Sequence, residues 1–99
     1  MRYAIIGDIH GNLPALDAVL ADIKSQSVDS ILCVGDIVGY AADPNECIEK
    51  VRARADCVVC GNHDYGLVGK MTLEYFNDDA RDALLWTRDQ ISGENEEWL

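Results

Sequence analysis

The sequence has no long apolar run, few basic residues and no cysteine pair placed to clasp one ion. Each shortage excludes a class of function. No stretch approaches the ~20 apolar residues that a helix needs to cross a bilayer, so no membrane partner is expected. The six residues ahead of Gly7 are too few for a secretory leader, so a cytoplasmic location is expected. Lys and Arg total 8 against 18 Asp and Glu, a formal net charge of −10. A surface of that sign repels phosphate backbones, which argues against nucleic acid as a surface-bound partner.

Four cysteines are present. Cys57-Val58-Val59-Cys60 has redox or zinc spacing, but it lies in the most strand-like segment of the chain. Alternation along a strand sends positions 57 and 60 to opposite faces, so they cannot clasp one ion. Thioredoxin-type pairs open a helix, which this pair does not. Cys33 sits in an apolar run and Cys47 on a predicted helix. Reduced, buried cysteines are therefore expected, as in the cytosol.

The chain that remains is 48% hydrophobic and 26% charged over 99 residues, which suits a single small domain spanning 1–99. Its apolar periodicity alternates strand and helix. Tyr3–Ile6 reads as a first strand, and Asn12 caps a helix with Pro14 in its first turn and Leu13, Leu16, Leu20 and Ile23 at helical spacing. Ser30–Val34 reads as a second strand without polar alternation, as expected of a parallel strand buried on both faces. Asp43-Pro44-Asn45-Glu46 opens a second helix carrying Cys47, Ile48 and Val51, and Cys57–Cys60 reads as a third strand. From His63 the chain reads as loop through Gly66 and Gly69. Asn77 then caps a helix bearing Ala80, Leu84, Thr87 and Ile91, ended by Ser92-Gly93, and Glu94–Leu99 begins another. The fold expected is α/β, with parallel strands joined by crossover helices.

Each strand runs straight into a polar block: Gly7-Asp8-Ile9-His10-Gly11-Asn12, then Gly35-Asp36, then Gly61-Asn62-His63-Asp64. Asp36 lies 28 residues after Asp8, and Asn62 lies 26 after Asp36. That is about the length of one strand–helix–loop unit, so all three blocks reach the same edge of one sheet. Asp, His and Asn are hard or borderline metal ligands, and carboxylates can bridge two cations of the kind that promote in-line attack on phosphorus. Any one block could be an ordinary turn or cap; their coincidence after three successive strands reads as a metal site. A dinucleotide fold is disfavoured because no Gly-x-Gly-x-x-Gly follows the first strand. A haloacid-dehalogenase-like phosphatase needs Asp-x-Asp, and position 10 is histidine.

The three blocks, in this order and at this spacing, resemble the metallophosphoesterase (calcineurin-like phosphoesterase) family over essentially the whole chain. The likeness implies the N-terminal half of that family's αββα sandwich and divalent-metal-dependent hydrolysis of a small phosphomonoester or phosphodiester substrate. It implies two divalent ions, with Mn first and Fe, Zn, Ni or Mg as alternatives. Carried over by position, Asp8 and His10 would hold the first ion, Asp36 would bridge both and Asn62 would hold the second. His63 would be the acid or transition-state stabiliser, with Asp64 beside it in the catalytic block.

Two departures bear on function. The protein phosphatase branch carries Gly-Asp-x-Val-Asp-Arg-Gly, whereas Gly35-Asp36-Ile37-Val38 is followed here by Gly39-Tyr40. The orienting aspartate and the phosphate-binding arginine are both missing, which points to the small prokaryotic phosphodiesterase-like branch. The family's later His and Gly-His-x-His blocks are absent, since His10 and His63 are the only histidines. A fragment of a longer protein is therefore expected. The competing expectation is a truncated or degenerate copy that binds a cation weakly and has no catalytic activity.

Overall fold

The computed structural model describes residues 1–99. Three parallel strands, β1 (Tyr3–Ile6), β2 (Ser30–Cys33) and β3 (Cys57–Val58), form one sheet in the order β1-β2-β3. Tyr3 pairs with Ser30 and Ile6 with Cys33, while Leu32 pairs with Cys57 and Cys33 with Val58. The crossovers are α1 (Leu13–Ser25) and α2 (Pro44–Arg54). A strand order that advances in one direction with right-handed crossovers puts both helices on the same face. They share one core there: Leu16, Leu20 and Ile23 of α1 and Cys47, Ile48 and Val51 of α2 close over Ile31 and Cys33.

The opposite face of the sheet is open. Tyr3, Ile5, Val34 and Val59 are all exposed on it. β2 was expected to be buried on both faces, and it is buried on one. The third strand is also shorter than the expected Cys57–Cys60. Val59 N–H still donates to Cys33 O at 2.9 Å, but the chain then leaves the ladder to bring Gly61 against Asp36. A Cβ at position 61 would overlap the Asp36 carboxylate and its amide nitrogen, so only glycine allows that approach. All four cysteines are free thiols, with Cys33 and Cys47 buried as expected and Cys57 exposed. Burial, reinforced by Asp43 and Glu46, pushes the Cys47 thiol up to about 11.

The segment read as loop after His63 begins with a helix, α3 (Asn62–Leu67). Six residues containing Gly66 are too few to show helical periodicity, and the helix is held from outside. Arg88 donates to Gly66 O at 2.7 Å and to Leu67 O at 3.1 Å, satisfying carbonyls at its C-terminal end. Arg88 belongs to α4 (Asp78–Gln90), capped as expected by Asn77 through Ala80 N at 2.8 Å. Ser92 does not simply end that helix. Its hydroxyl accepts from Asn95 N at 3.2 Å and caps α5 (Gly93–Trp98).

Asn45 of α2 ties this end of the chain down, accepting from Ser92 N and Asn95 Nδ2 at 2.9 Å each and donating to Gln90 O at 2.8 Å. Trp98 and Leu99 are half-buried against the core. Trp86 stays exposed. No helix of the chain is long and apolar enough to cross a membrane.

Candidate metal centre

The loops leaving β1 and β2 are sewn together beyond the ends of their strands. Asp8 N donates to Gly35 O at 3.1 Å, His10 N to Asp36 O at 2.9 Å and Gly11 N to Ile37 O at 2.8 Å. These bonds hold the backbone in an uncommon conformation. Asp8, His10 and Asp36 have φ of 51°, 50° and 55°, and Tyr40 has 70°. A left-handed residue other than glycine costs about 1–2 kcal/mol, and such strain concentrates at functional sites. Four of the five non-glycine residues with positive φ lie in this one region, Ser27 being the exception.

The strained loops bring three of the expected ligands together. One donor atom from each of Asp8, His10 and Asp36 lies within 4.8 Å of the other two. His10 Nδ1 is 2.9 Å from Val38 O. A carbonyl can only accept, so the proton is on Nδ1 and the lone pair is on Nε2, which is 3.5 Å from Asp8 Oδ1. A histidine fixed by its far nitrogen on a backbone carbonyl, with its near nitrogen bare, is the usual state of a metal-ligating imidazole.

Asn62, the first residue of α3 and the fourth expected ligand, lies beside Asp36. Its amide lies against the Asp36 carboxylate and, with the NH₂ turned toward it, donates to both oxygens at 3.1 and 3.2 Å. Asp8, His10 and Asp36 offer two carboxylates and an imidazole nitrogen, a donor set that fits a divalent metal.

His63 and Asp64 follow Asn62 but lie in different surroundings. Asp64 is 1% exposed and is bound to backbone amides from two loops. Its Oδ2 accepts from Asp36 N at 2.8 Å and Gly61 N at 3.0 Å, and its Oδ1 accepts from Ile37 N at 3.0 Å and Val38 N at 3.2 Å. Burial pushes this carboxyl above its ordinary value, and the amide hydrogen bonds pull it back.

His63 is 7% exposed. Its amide donates to Asp36 Oδ1 at 2.9 Å, which fixes one oxygen of the carboxylate expected to bridge. Its ring is held by other rings: the centroids of His10, Tyr40 and Phe76 lie 4.7, 5.0 and 5.0 Å away. Its Nδ1 is buried without a hydrogen-bond partner. Burial, and then the adjacent His10, push the imidazole below the usual histidine range, while Asp36, Asp64 and Asp8 oppose that shift.

Gly39 makes this packing possible. It has φ of 93°, and a Cβ there would sit 2.5 Å from His63 Nδ1. Position 39 therefore points directly at the ring nitrogen that an acidic side chain would orient. The rings of Tyr40 and Phe76 around His63 are features that sequence reasoning missed. Gly39-Tyr40 was noted there only for the aspartate and arginine it lacks.

With the site assembled, the comparisons with known proteins become informative. The sequence profile of the calcineurin-like phosphoesterases matches residues 1–97. The chain belongs to the calcineurin-like phosphoesterase family. It is 53% identical over 96 residues to an uncharacterized protein of Methanocaldococcus jannaschii, covering 97% of this chain and 40% of that protein. It is 37% identical over 71 residues to the symmetrical bis(5'-nucleosyl)-tetraphosphatase of Sodalis glossinidius, covering 69% of this chain and 25% of that enzyme. Among solved structures, a metallophosphoesterase from Sphaerobacter thermophilus superimposes with a TM-score of 0.80 at 46% identity, over 99% of this chain and 40% of that one. This calcineurin-like phosphoesterase chain thus spans well under half the length of those relatives. Its α/β fold with a parallel sheet and crossover helices is the one the family shares over this region.

Proposed function

We propose that the protein hydrolyses a small phosphomonoester or phosphodiester at a centre of two divalent cations, with Mn²⁺ the first expectation. Asp8 and His10 would hold one ion, Asp36 would bridge and Asn62 would hold the other. The observation that carries this reading is the cluster of ligand atoms from Asp8, His10 and Asp36 within 4.8 Å of one another, with the Asn62 amide beside the Asp36 carboxylate. The naming of a bacterial relative as a bis(5'-nucleosyl)-tetraphosphatase supports a phosphoryl centre in the substrate. Cations bound there supply Lewis acidity toward phosphoryl oxygens and activate water for in-line attack.

The chain's own residues do the rest. His10 is held by Val38 O with its Nε2 toward Asp8. Asp36 is locked between the His63 amide on its side chain and Asp64 on its backbone. Asp64, spent on four amides, acts through Asp36 as a positioning residue. The His63 imidazole, whose pKa burial lowers, would donate a ring N–H hydrogen bond to a phosphoryl or leaving oxygen. As general acid it would act from its protonated form, giving the extra proton to the leaving oxygen and returning to the neutral ring.

His63→Asn is the test that separates chemistry from binding. The variant is expected to keep its Mn²⁺ affinity in calorimetric titration and to lose about 10²–10⁴-fold in turnover of bis(p-nitrophenyl) phosphate. The loss should be smaller for aryl phosphates than for alkyl ones, whose leaving oxygen needs protonation. An equal loss with every leaving group would move His63 out of the acid role. A second reading is favoured by the histidine count, since His10 and His63 are the only ones. On that reading these 99 residues bind a cation weakly and turn nothing over. Metal binding by calorimetry with no metal-dependent turnover above background would select it.

A further inference from the structure

His63 is held in an unusual way. A buried imidazole normally has its ring nitrogens satisfied, yet Nδ1 of His63 has no hydrogen-bond partner, and Gly39 sets its side-chain-free α-carbon against it. No hydrogen bond fixes the ring on that side, so its orientation must come from packing. Three rings are in reach, and they differ. Phe76 is buried behind His63, edge-on at 73°. His10 lies on the ligand side, edge-on at 70°.

Tyr40 alone touches both histidines, with centroids 5.1 Å from His10 and 5.0 Å from His63. These separations lie within the range in which aromatic pairs attract specifically. Tyr40 is also 52% exposed and holds a φ of 70°. A bulky side chain pays for that conformation in strain, and in return its ring lies over the histidine pair.

We propose that Tyr40 is a positioning residue of this centre, fixing the rings of His10 and His63 by aromatic packing where Nδ1 of His63 has no hydrogen bond. The effect on rate rests on the reading above, that His63 acts on the phosphoester; the effect on ring geometry does not. Because packing carries the role, the phenol oxygen is dispensable and the ring is not.

The comparison is Tyr40→Phe against Tyr40→Leu in the purified protein. All three residues are non-glycine at the same φ, so the backbone demand is equal. With only two histidines in the chain, long-range ¹H–¹⁵N spectra without metal report both rings directly. Tyr40→Phe is expected to keep the ring-current-shifted His63 signals, the Mn²⁺ affinity and kcat. Tyr40→Leu should move both sets of ring signals toward exposed-histidine positions. It should also lower kcat by roughly 10²-fold, the scale of a small misplacement, with KM and Mn²⁺ affinity within about threefold of wild type.

Unmoved ring signals in Tyr40→Leu would overturn the proposal, and so would a loss confined to KM, which would make Tyr40 a substrate contact. A fall in kcat for Tyr40→Phe with intact ring signals would overturn it as well, by assigning the role to the hydroxyl. That arm decides the matter even if the leucine variant does not fold. A wild-type protein without turnover would count against the hydrolytic reading alone, since the ring signals still report the positioning.

Discussion

Asp36→Asn is expected to abolish tight metal binding and turnover together while leaving the fold in place. The substitution is nearly isosteric, and an asparagine Oδ1 can still accept the His63 amide now bound at 2.9 Å. What changes is the other half of the group. One carboxylate oxygen becomes an NH₂ whose hydrogens face Asn62, and the remaining oxygen carries no formal charge. Two cations sharing one neutral oxygen repel each other without an anion between them.

Losing an outer-shell partner costs about 10–100-fold in metal affinity, and loss of a bridging ligand should exceed that. Calorimetric titration with Mn²⁺ and the bis(p-nitrophenyl) phosphate assay measure both effects, and a urea midpoint without metal close to that of wild type controls for unfolding. Stoichiometric Mn²⁺ binding at wild-type affinity would remove Asp36 from the centre.

That the three polar blocks converge could be read from the chain because its signals are local and repeated. A glycine and a ligand-type residue close each of three apolar runs, and parallel topology does the rest: Asp8, Asp36 and Asn62 reach one sheet edge because each strand points the same way. The first two helices were legible for the same reason, with Asn12 and Pro44 marking their starts.

Several features were not legible. α3 has six residues and owes its C-terminal end to Arg88, 21 positions beyond Leu67, a contact that no local pattern announces. The third strand was overestimated because Val59 and Cys60 have strand-like side chains, while the approach of Gly61 to Asp36 pulls the backbone off the ladder. The unbroken apolar run of β2 is the pattern of a strand covered on both sides, and it carries no sign of which face these residues leave open. The aromatic setting of His63 joins positions 10, 40 and 76, which only the folded chain brings together.

Asp64 shows best how a residue can be found by motif and still have its role decided by contacts. Its carboxylate accepts from four backbone amides and joins the Asp36–Val38 loop to the start of α3. It has no lone pair left to offer a substrate and is 1% exposed. Asp64→Ala would leave those amides without an acceptor, two of them on the buried residues Ile37 and Val38. Hydrogen bonds to a charged group contribute about 1.5–3 kcal/mol each, and an unsatisfied buried donor costs about 1–3 kcal/mol. Non-additivity within one network brings the expected loss to roughly 3–5 kcal/mol, large against the 5–15 kcal/mol typical of whole domains.

The strained Asp36 at φ 55° is one of the residues so anchored. Metal affinity should therefore fall with stability, although Asp64 touches no ion. Asp64→Asn, which keeps one acceptor oxygen, should lie between the two. Urea unfolding gives the stability of each variant and Mn²⁺ titration gives the coupling. A catalytic Asp64 would behave in the opposite way, with Asp64→Asn keeping its midpoint and its metal while losing only kcat. That result would return Asp64 to the chemistry and leave the Asp36 loop in need of another anchor.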